Sequence, residues 1–365
     1  MTLLYFAPVP WDSYLQRPHY VAKHFLQRGG RRVVWIDPYP TRLPMMADIR
    51  TVLRRRLVTP RPPNLTVVKP GALPIEPLAS GRWLNRHVLW HRLHRRLPQF
   101  SGGKQLIVGI GRPHSLALAA LERLDPASSF YDAMDDFPEF YRGPAKRAAS
   151  MSEQAIASNV TTIFTASSGL WAKFAAHGGK RQLVANGFDM ASLPPLAPRP
   201  TGTPVLGYVG TVASWFDWPL VVRLARAVPN ALIHIVGPLY VAAPHRHPAN
   251  IKLFPACSHE RAVEHIARFS VGLIPFKCNK LTQSVDPIKY YAYRGMGLSV
   301  LTTPFGEMAQ RGPGDGAFLL DERLGLEASA YAALGASRAN DDAVDEFRAA
   351  YSWERRFEEA GLFST

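Results

Sequence analysis

The sequence predicts an α/β protein built from two doubly wound parallel sheets in tandem, and three observations carry that prediction. Short apolar runs rich in β-branched residues alternate with helical stretches along almost the whole chain. Alternation of that kind belongs to parallel sheets with helices on both faces. One proline-rich stretch, Leu193-Pro194-Pro195-Leu196-Ala197-Pro198-Arg199-Pro200, interrupts the pattern without periodicity of its own, after which the alternation starts again. Finally, 365 residues are enough for two domains with separate cores.

In order, Leu3 to Ala7 reads as a first strand, followed by a helix from Pro18 to Arg28 and a strand from Arg32 to Ile36. Pro18 suits a first helical turn and Gly29-Gly30 stops the helix. Further strands are expected at Leu65-Val68, Leu106-Gly109, Ser129-Tyr131, Thr162-Thr165 and Gln182-Val184. The second series has strands at Val205-Val209, Leu232-Val236, Ile251-Phe254, Val271-Ile274 and Leu298-Leu301, with helices from Trp218, His259 and Ile288 between them. The expected division is residues 1–188, a stiff linker over 189–204, and residues 205–345, with a terminal helix over 346–365 returning to the first domain. Two such sheets facing each other would leave a cleft lined by the C-terminal ends of their strands.

Composition excludes several classes. A hydrophobic fraction of 47% with 19% charged residues is that of a folded chain, not a disordered one. Cys257 and Cys278 supply neither a disulfide framework nor metal-ligand spacing, which fits a reducing cytoplasm. Met1 to Pro10 reads as a strand, not a secretion signal, and no run approaches the ~18 apolar residues of a membrane span. Charge is the strongest signal. Of a net +15, residues 1–125 hold 20 Lys and Arg against 6 Asp and Glu. A basic first lobe on a near-neutral remainder points to an anionic partner.

The densest motif runs from Leu281 to Thr303. Pro287 fits a first helical turn, so Ser284-Val285-Asp286-Pro287 leads into a short helix whose N-terminus favours phosphate, with Lys289 and Tyr290 in its first turn. Tyr208-Val209-Gly210-Thr211 and Ile235-Val236-Gly237-Pro238 end two strands in glycine turns that let backbone approach a ligand closely. A capped surface helix with a solvated lysine is the bland alternative.

Taken in order, Tyr208-Gly210, Ile235-Pro238, Val271-Phe276 and Asp286-Val300 resemble the C-terminal lobe of GT-B glycosyltransferases. The resemblance is to family 4-like enzymes and relatives that build bacterial exopolysaccharide or teichuronic-type polymers. It extends more loosely to Trp11, Arg17-Pro18-His19, the Tyr131 to Phe137 segment and Asn186-Gly187-Phe188-Asp189. Two glutamates usual in family 4 fall here on Ser284 and Ala292. Similarity to the exopolysaccharide glucuronosyltransferases matches Lys289 to a phosphate-contacting lysine, with Ala292 in place of a glutamine.

The resemblance implies two Rossmann-like domains and transfer of a sugar from a nucleotide-sugar, UDP-linked, to a lipid-linked or glycan acceptor. Gly210, Thr211, Gly237, Ser284, Asp286, Lys289 and Tyr290 would hold the donor without a metal or other cofactor, the lysine and helix dipole balancing the leaving group.

Phe130-Tyr131-Asp132-Ala133-Met134-Asp135-Asp136-Phe137 leaves a strand of the first lobe with three carboxylates, one of which could accept a proton from an acceptor hydroxyl. The glucuronosyltransferase resemblance selects Asp135, with Asp136 second. Capping or structural roles are the alternative. Near the first strand, Trp11 could stack on a sugar, Arg17 hold an acceptor phosphate, and His19 act as an alternative base.

From Arg82 to Arg96 the tryptophans Trp83 and Trp90 interleave with basic residues including Arg95, and Arg54-Arg55-Arg56 would extend the patch. Such a helix can lie at an anionic membrane interface or simply present a solvated basic face. No nucleic-acid recognition motif accompanies it. The expected setting is cytoplasmic, peripheral at the inner face of a plasma membrane. A nucleotide-sugar epimerase and a catalytically inactive GT-B scaffold are the competing readings.

Overall fold

The computed structural model describes residues 1–41, 60–73, 79–91, 93, 95, 97, 99, 105–196, 201–320, 322–323, 325–336 and 340–363. The chain forms two compact units, Met1–Val184 with Phe357–Thr365, and Ala185–Arg356.

The first unit is a seven-stranded sheet of β1 (Thr2–Phe6), β2 (Arg32–Ile36), β3 (Leu65–Val68), β4 (Leu106–Ile110), β5 (Ser128–Ala133), β6 (Thr162–Thr165) and β7 (Arg181–Leu183). Their spatial order is β3-β2-β1-β4-β5-β6-β7, and every pairing is parallel. Leu3, Leu4, Tyr5 and Phe6 are all fully buried, because a parallel strand covered on both faces can be apolar without alternation. Direction of winding reverses between β1 and β4, the place where open sheets of this kind bind ligands.

Local chemistry explains the helix starts. Pro18 stands in the first turn of the helix Arg17–Gln27, which runs to Arg28 before Gly29 takes a φ of 82°. His114 caps the helix Ser115–Arg123 by accepting from the Ala117 amide at 3.1 Å. The basic stretch is α-helical over Ala79–Leu84 and widens to a π-turn over Asn85–Leu89, so it is not one uniform helix.

The second unit is a six-stranded sheet of β8 (Val205–Val209), β9 (Leu232–Val236), β10 (Ile251–Phe254), β11 (Val271–Ile274), β12 (Ser299–Thr302) and β13 (Ala317–Leu319), in the order β10-β9-β8-β11-β12-β13 and again all parallel. β13 escapes the sequence reading because its three residues carry no periodicity. The winding reverses between β8 and β11. Here the core is tightened by aromatic rings lying on glycines: Phe269 covers Gly207 and Tyr293 covers Gly272. The Tyr293 hydroxyl accepts the Val209 amide at 2.9 Å, tying the end of β8 to the helix Ile288–Gly295.

Within the proline-rich break, Met190 and Leu193 are buried in this second core. The helix Asp341–Tyr351 also belongs to the second unit, where Arg348 donates to the Gly295 carbonyl at 2.8 Å. The terminal helical run breaks at Ser352, which bridges to Phe188. Beyond the break, Phe357 packs on His24 with ring centroids 5.4 Å apart, inside the first unit.

Candidate functional site

In the second unit, Gly210 follows β8 and Gly237 follows β9, and the two turns are laced together. The Gly210 amide donates to the Val236 carbonyl at 2.8 Å, and the Val212 amide to the Pro238 carbonyl at 3.0 Å. Both residues need to be glycine. Gly210 has φ 141° and Gly237 φ 137°, and a side chain at 237 would collide with the Gly210 carbonyl. A side chain at 210 would instead meet the Lys289 Nζ, 2.8 Å from where its Cβ would lie.

Lys289 therefore reaches the turn at the β8/β11 reversal. Its Nζ lies 5.2 Å from the Tyr208 ring centroid and 5.5 Å from that of Phe276. Among the described residues it has no hydrogen-bond or ion-pair partner. Burial alone lowers its pKa from 10.5 to about 8, which costs the charged form on the order of 3 kcal/mol. Cation–π contacts with two rings offset part of that cost. The result is a half-buried ammonium beside the Gly210 turn, with no counter-charge among the described residues.

The other residues proposed for the donor have different tasks. Asp286 is buried and fully engaged: Oδ1 pairs with Arg311 at 3.0 Å, and Oδ2 accepts the Asn186 amide at 2.9 Å and the Tyr291 hydroxyl at 2.7 Å. Asn186 returns a bond from Nδ2 to the Asp286 carbonyl at 2.7 Å. This carboxylate holds the segment that carries Lys289 three residues on, and is not open to a ligand. Tyr290 is likewise buried, its hydroxyl donating to the Asp315 carbonyl at 2.9 Å and its face covered by the Arg311 guanidinium at 3.9 Å. Ser284 is buried. Thr211 is half-buried, and its carbonyl accepts the Tyr208 hydroxyl at 2.6 Å. Arg311 was invisible to sequence reasoning, since nothing in its local context distinguishes it from a surface arginine.

In the first unit, the three carboxylates at the end of β5, Asp132 within the strand and Asp135 and Asp136 just beyond it, separate by partner. Asp132 is buried in a bidentate pair with Arg17, Nε to Oδ1 at 2.9 Å and Nη2 to Oδ1 at 2.8 Å with a further 3.1 Å contact to Oδ2. Asp136 pairs with Lys173 at 2.7 Å, and Lys173 also holds Glu153 at 2.5 Å. Asp135 is half-buried; its carbonyl accepts the Phe137 amide at 3.0 Å, while its carboxylate has no hydrogen-bond or ion-pair partner among the described residues. Desolvation raises its pKa from 3.8 to about 7; the Arg17 charge opposes this, and Asp136 and Asp132 add to it. Of the two catalytic candidates, Asp135 keeps the properties of a base and Asp136 is committed to an ion pair.

The residues near β1 are structural. Arg17 is 2% exposed, and besides Asp132 it donates to the Val184 carbonyl at 2.6 Å, so its charge is spent inside the fold. Trp11, 1% exposed, packs on Trp35 and His19 with centroids 5.0 Å apart in each case, and offers no open face to a sugar. His19 is fully buried with Nδ1 accepting the Gln16 amide and Nε2 against the Trp11 carbonyl. Burial lowers its pKa to about 4, so both nitrogens are occupied and it is no base for an acceptor.

Of the membrane residues, Trp83 is 61% exposed and Arg95 exposed, but Trp90 is a core residue, 1% exposed, with Nε1 donating to the Gly71 carbonyl at 3.0 Å. Arg54, Arg55, Arg56 and Arg96 lie outside the described residues, as does the side chain of Arg82. Among the described residues no helix is long and apolar enough to cross a membrane, and no group of three or more His, Cys, Asp or Glu is placed to hold a metal. Asp132→Asn leaves the buried Arg17 guanidinium without its counter-charge. It should lower stability by about 3–5 kcal/mol, read by urea denaturation; an unchanged unfolding midpoint would contradict the structural role of Arg17.

No protein-family model and no curated protein matches the chain. Solved structures do. HepE of Anabaena in complex with UDP-glucose is 11% identical with a TM-score of 0.65, the alignment covering 99% of each chain. WaaG, a glycosyltransferase involved in lipopolysaccharide biosynthesis, is 13% identical with a TM-score of 0.63 over 100% of each chain. AviGT4, a glycosyltransferase involved in avilamycin A biosynthesis, is 13% identical with a TM-score of 0.58, covering 98% of this chain and 95% of the other. At such identities the likeness is one of architecture, and it shows that this chain has the two-unit GT-B fold.

Proposed function

We propose that this chain is a glycosyltransferase that moves a sugar from a UDP-linked donor to a lipid-linked or glycan acceptor in the synthesis of a bacterial exopolysaccharide or other envelope polysaccharide. The observation that carries the proposal is the uncompensated Lys289 ammonium set against the Gly210 turn at the β8/β11 reversal. A diphosphate is the anion such a place suits, because glycine turns admit phosphate oxygens and the cation meets their charge. The UDP and UDP-glucose held by HepE support the same class of donor.

In the reaction, the acceptor oxygen attacks the anomeric carbon while the bond from that carbon to the diphosphate oxygen breaks. Asp135 takes the acceptor's proton, and the nucleoside diphosphate departs with its electron pair. Lys289 meets the negative charge that builds on the departing diphosphate, which needs no metal in this scheme. The basic first unit, with Trp83 and Arg95 at its surface, would bring the chain to an anionic membrane face where a lipid-linked acceptor resides.

Lysine is charged below its pKa, and a bound anion raises that pKa again. UDP affinity, measured by isothermal titration, should therefore be highest below about pH 8 and fall as pH rises through that value. Lys289→Met should bind UDP roughly tenfold more weakly or worse, and lose this limb of the profile. Equal binding by the variant would remove the site.

The base works only when ionised, so transfer should rise as pH increases through about 7. Asp135→Asn should lower turnover by about a hundredfold or more while leaving UDP binding intact. The assay is UDP release from UDP-glucose or another UDP-sugar in the presence of a bacterial membrane lipid extract. Undiminished turnover by Asp135→Asn excludes it as the base, and donor conversion without extract favours an epimerase.

A further inference from the structure

An open cavity of about 610 Å³ lies in the first unit between the helices Ser115–Arg123 and Gly143–Asn159, closed on a third side by the Ala79–Leu89 turn segment. That volume falls in the range of small-molecule sites, roughly 300–1,000 Å³. Its walls include Trp83, Trp90, Leu118, Ala119, Met151 and Ala155. Two of these are large apolar side chains left in water: Trp83 is 61% exposed and Met151 66%. Neither the transfer chemistry nor the core of the unit uses them, and a solvent-facing tryptophan beside a methionine marks a surface made for an apolar partner.

The charges at its edge narrow the partner's chemistry. Arg86, His87 and Arg123 line the cavity, and among the described residues no acidic side chain does. Arg86 is answered by Glu122 at 3.0 Å, but Arg123 has no ion-pair partner among the described residues. The surrounding first third of the chain holds 20 Lys and Arg against 6 Asp and Glu. An apolar channel with a cationic mouth complements a molecule that is a hydrocarbon chain at one end and an anion at the other. The channel runs along the helix Ser115–Arg123, whose nine residues span about 13 Å at 1.5 Å per residue; an extended acyl chain of medium length fits that reach.

We infer that this groove is a site for one anionic phospholipid, its acyl chain between the two helices and its phosphate at Arg123. The inference rests on the reading that the chain works at an anionic membrane face. It adds that attachment includes a lipid withdrawn into the protein and not only charge attraction to a surface.

The test uses full-length chain and monodisperse dioctanoylphosphatidylglycerol, followed by isothermal titration. One lipid per chain should bind. Ala155→Phe fills the groove from a half-exposed helical position, and Arg123→Glu reverses its charged mouth. Each should weaken binding roughly tenfold, the loss of about two methylenes' burial or one charge-assisted contact. Both variants should keep the wild-type urea unfolding midpoint, showing that the first unit still folds, and UDP affinity should stay unchanged. Glycerophosphoglycerol, the headgroup without chains, should not bind measurably. Equal lipid affinity in Ala155→Phe, or equal binding of the chain-free headgroup, overturns the groove assignment. So does a dimer in sedimentation that Met151→Asp dissolves, because the groove would then belong to a second copy. Flotation with phosphatidylcholine vesicles, with and without phosphatidylglycerol, separates the two levels. Vesicle binding that Ala155→Phe leaves intact preserves the membrane reading and removes the lipid site, whereas wild type that ignores anionic vesicles removes both.

Discussion

A half-buried ammonium group with no carboxylate beside it bears a desolvation cost, and the second unit maintains one, Lys289, with no ion-pair partner among the described residues. Lys289 is carried to the β8/β11 reversal by the helix Ile288–Gly295 and faces Tyr208 and Phe276. Gly210 keeps a side chain out of the space around its Nζ, and Gly237 lets the neighbouring turn close on the Gly210 carbonyl. The entry of that helix is fixed by Asp286, whose charge is absorbed by Arg311 and whose oxygens are filled by Asn186 and Tyr291. A carboxylate three residues from the lysine thus never neutralises it. The fold spends its acid on holding the backbone and leaves the Lys289 cation without a counter-charge among the described residues.

The first unit treats its acids in the same selective way. Three aspartates leave β5 within five positions, and simple repulsion would raise the pKa of at least one of them. The structure decides which. Arg17 takes Asp132 and Lys173 takes Asp136, so the cost of crowding and burial falls on Asp135. Lys173 also joins Asp136 to Glu153, and Glu153 in turn accepts the Tyr131 hydroxyl at 2.9 Å. The network braces the loop from both sides, while the carboxylate of its middle member has no partner among the described residues.

The basic segment divides along the same line between structure and surface. Trp83 and Trp90 stand seven residues apart, a spacing that would put both on one face of a regular helix. The π-turn over Asn85–Leu89 breaks that register, and Trp90 turns inward to Tyr39 while Trp83 remains outside. Half of the apparent aromatic stripe is therefore core. What remains outside borders the cavity lined by Arg86 and Arg123.

Much of the architecture was legible from residues alone. Buried parallel strands must be continuously apolar, and helices between them announce their ends through Pro18, Gly29 and Pro287, so twelve of the thirteen strands could be marked in order. Lys289 could be singled out at a helix start, where a phosphate site would want a cation, whereas Asp135 was selected among three neighbouring aspartates only through the glucuronosyltransferase resemblance. Partnership could not be read. Whether Arg17, Asp136, His19, Trp11 or Asp286 faces a ligand or another side chain depends on residues as far away as Asp132, Lys173, Trp35 and Arg311. Sequence determined the periodicities and the chemistry on offer, since both are local properties of the chain. Only tertiary structure decided which charges cancel, because electrostatic pairing is set by distance in space and desolvation by the packing of distant elements.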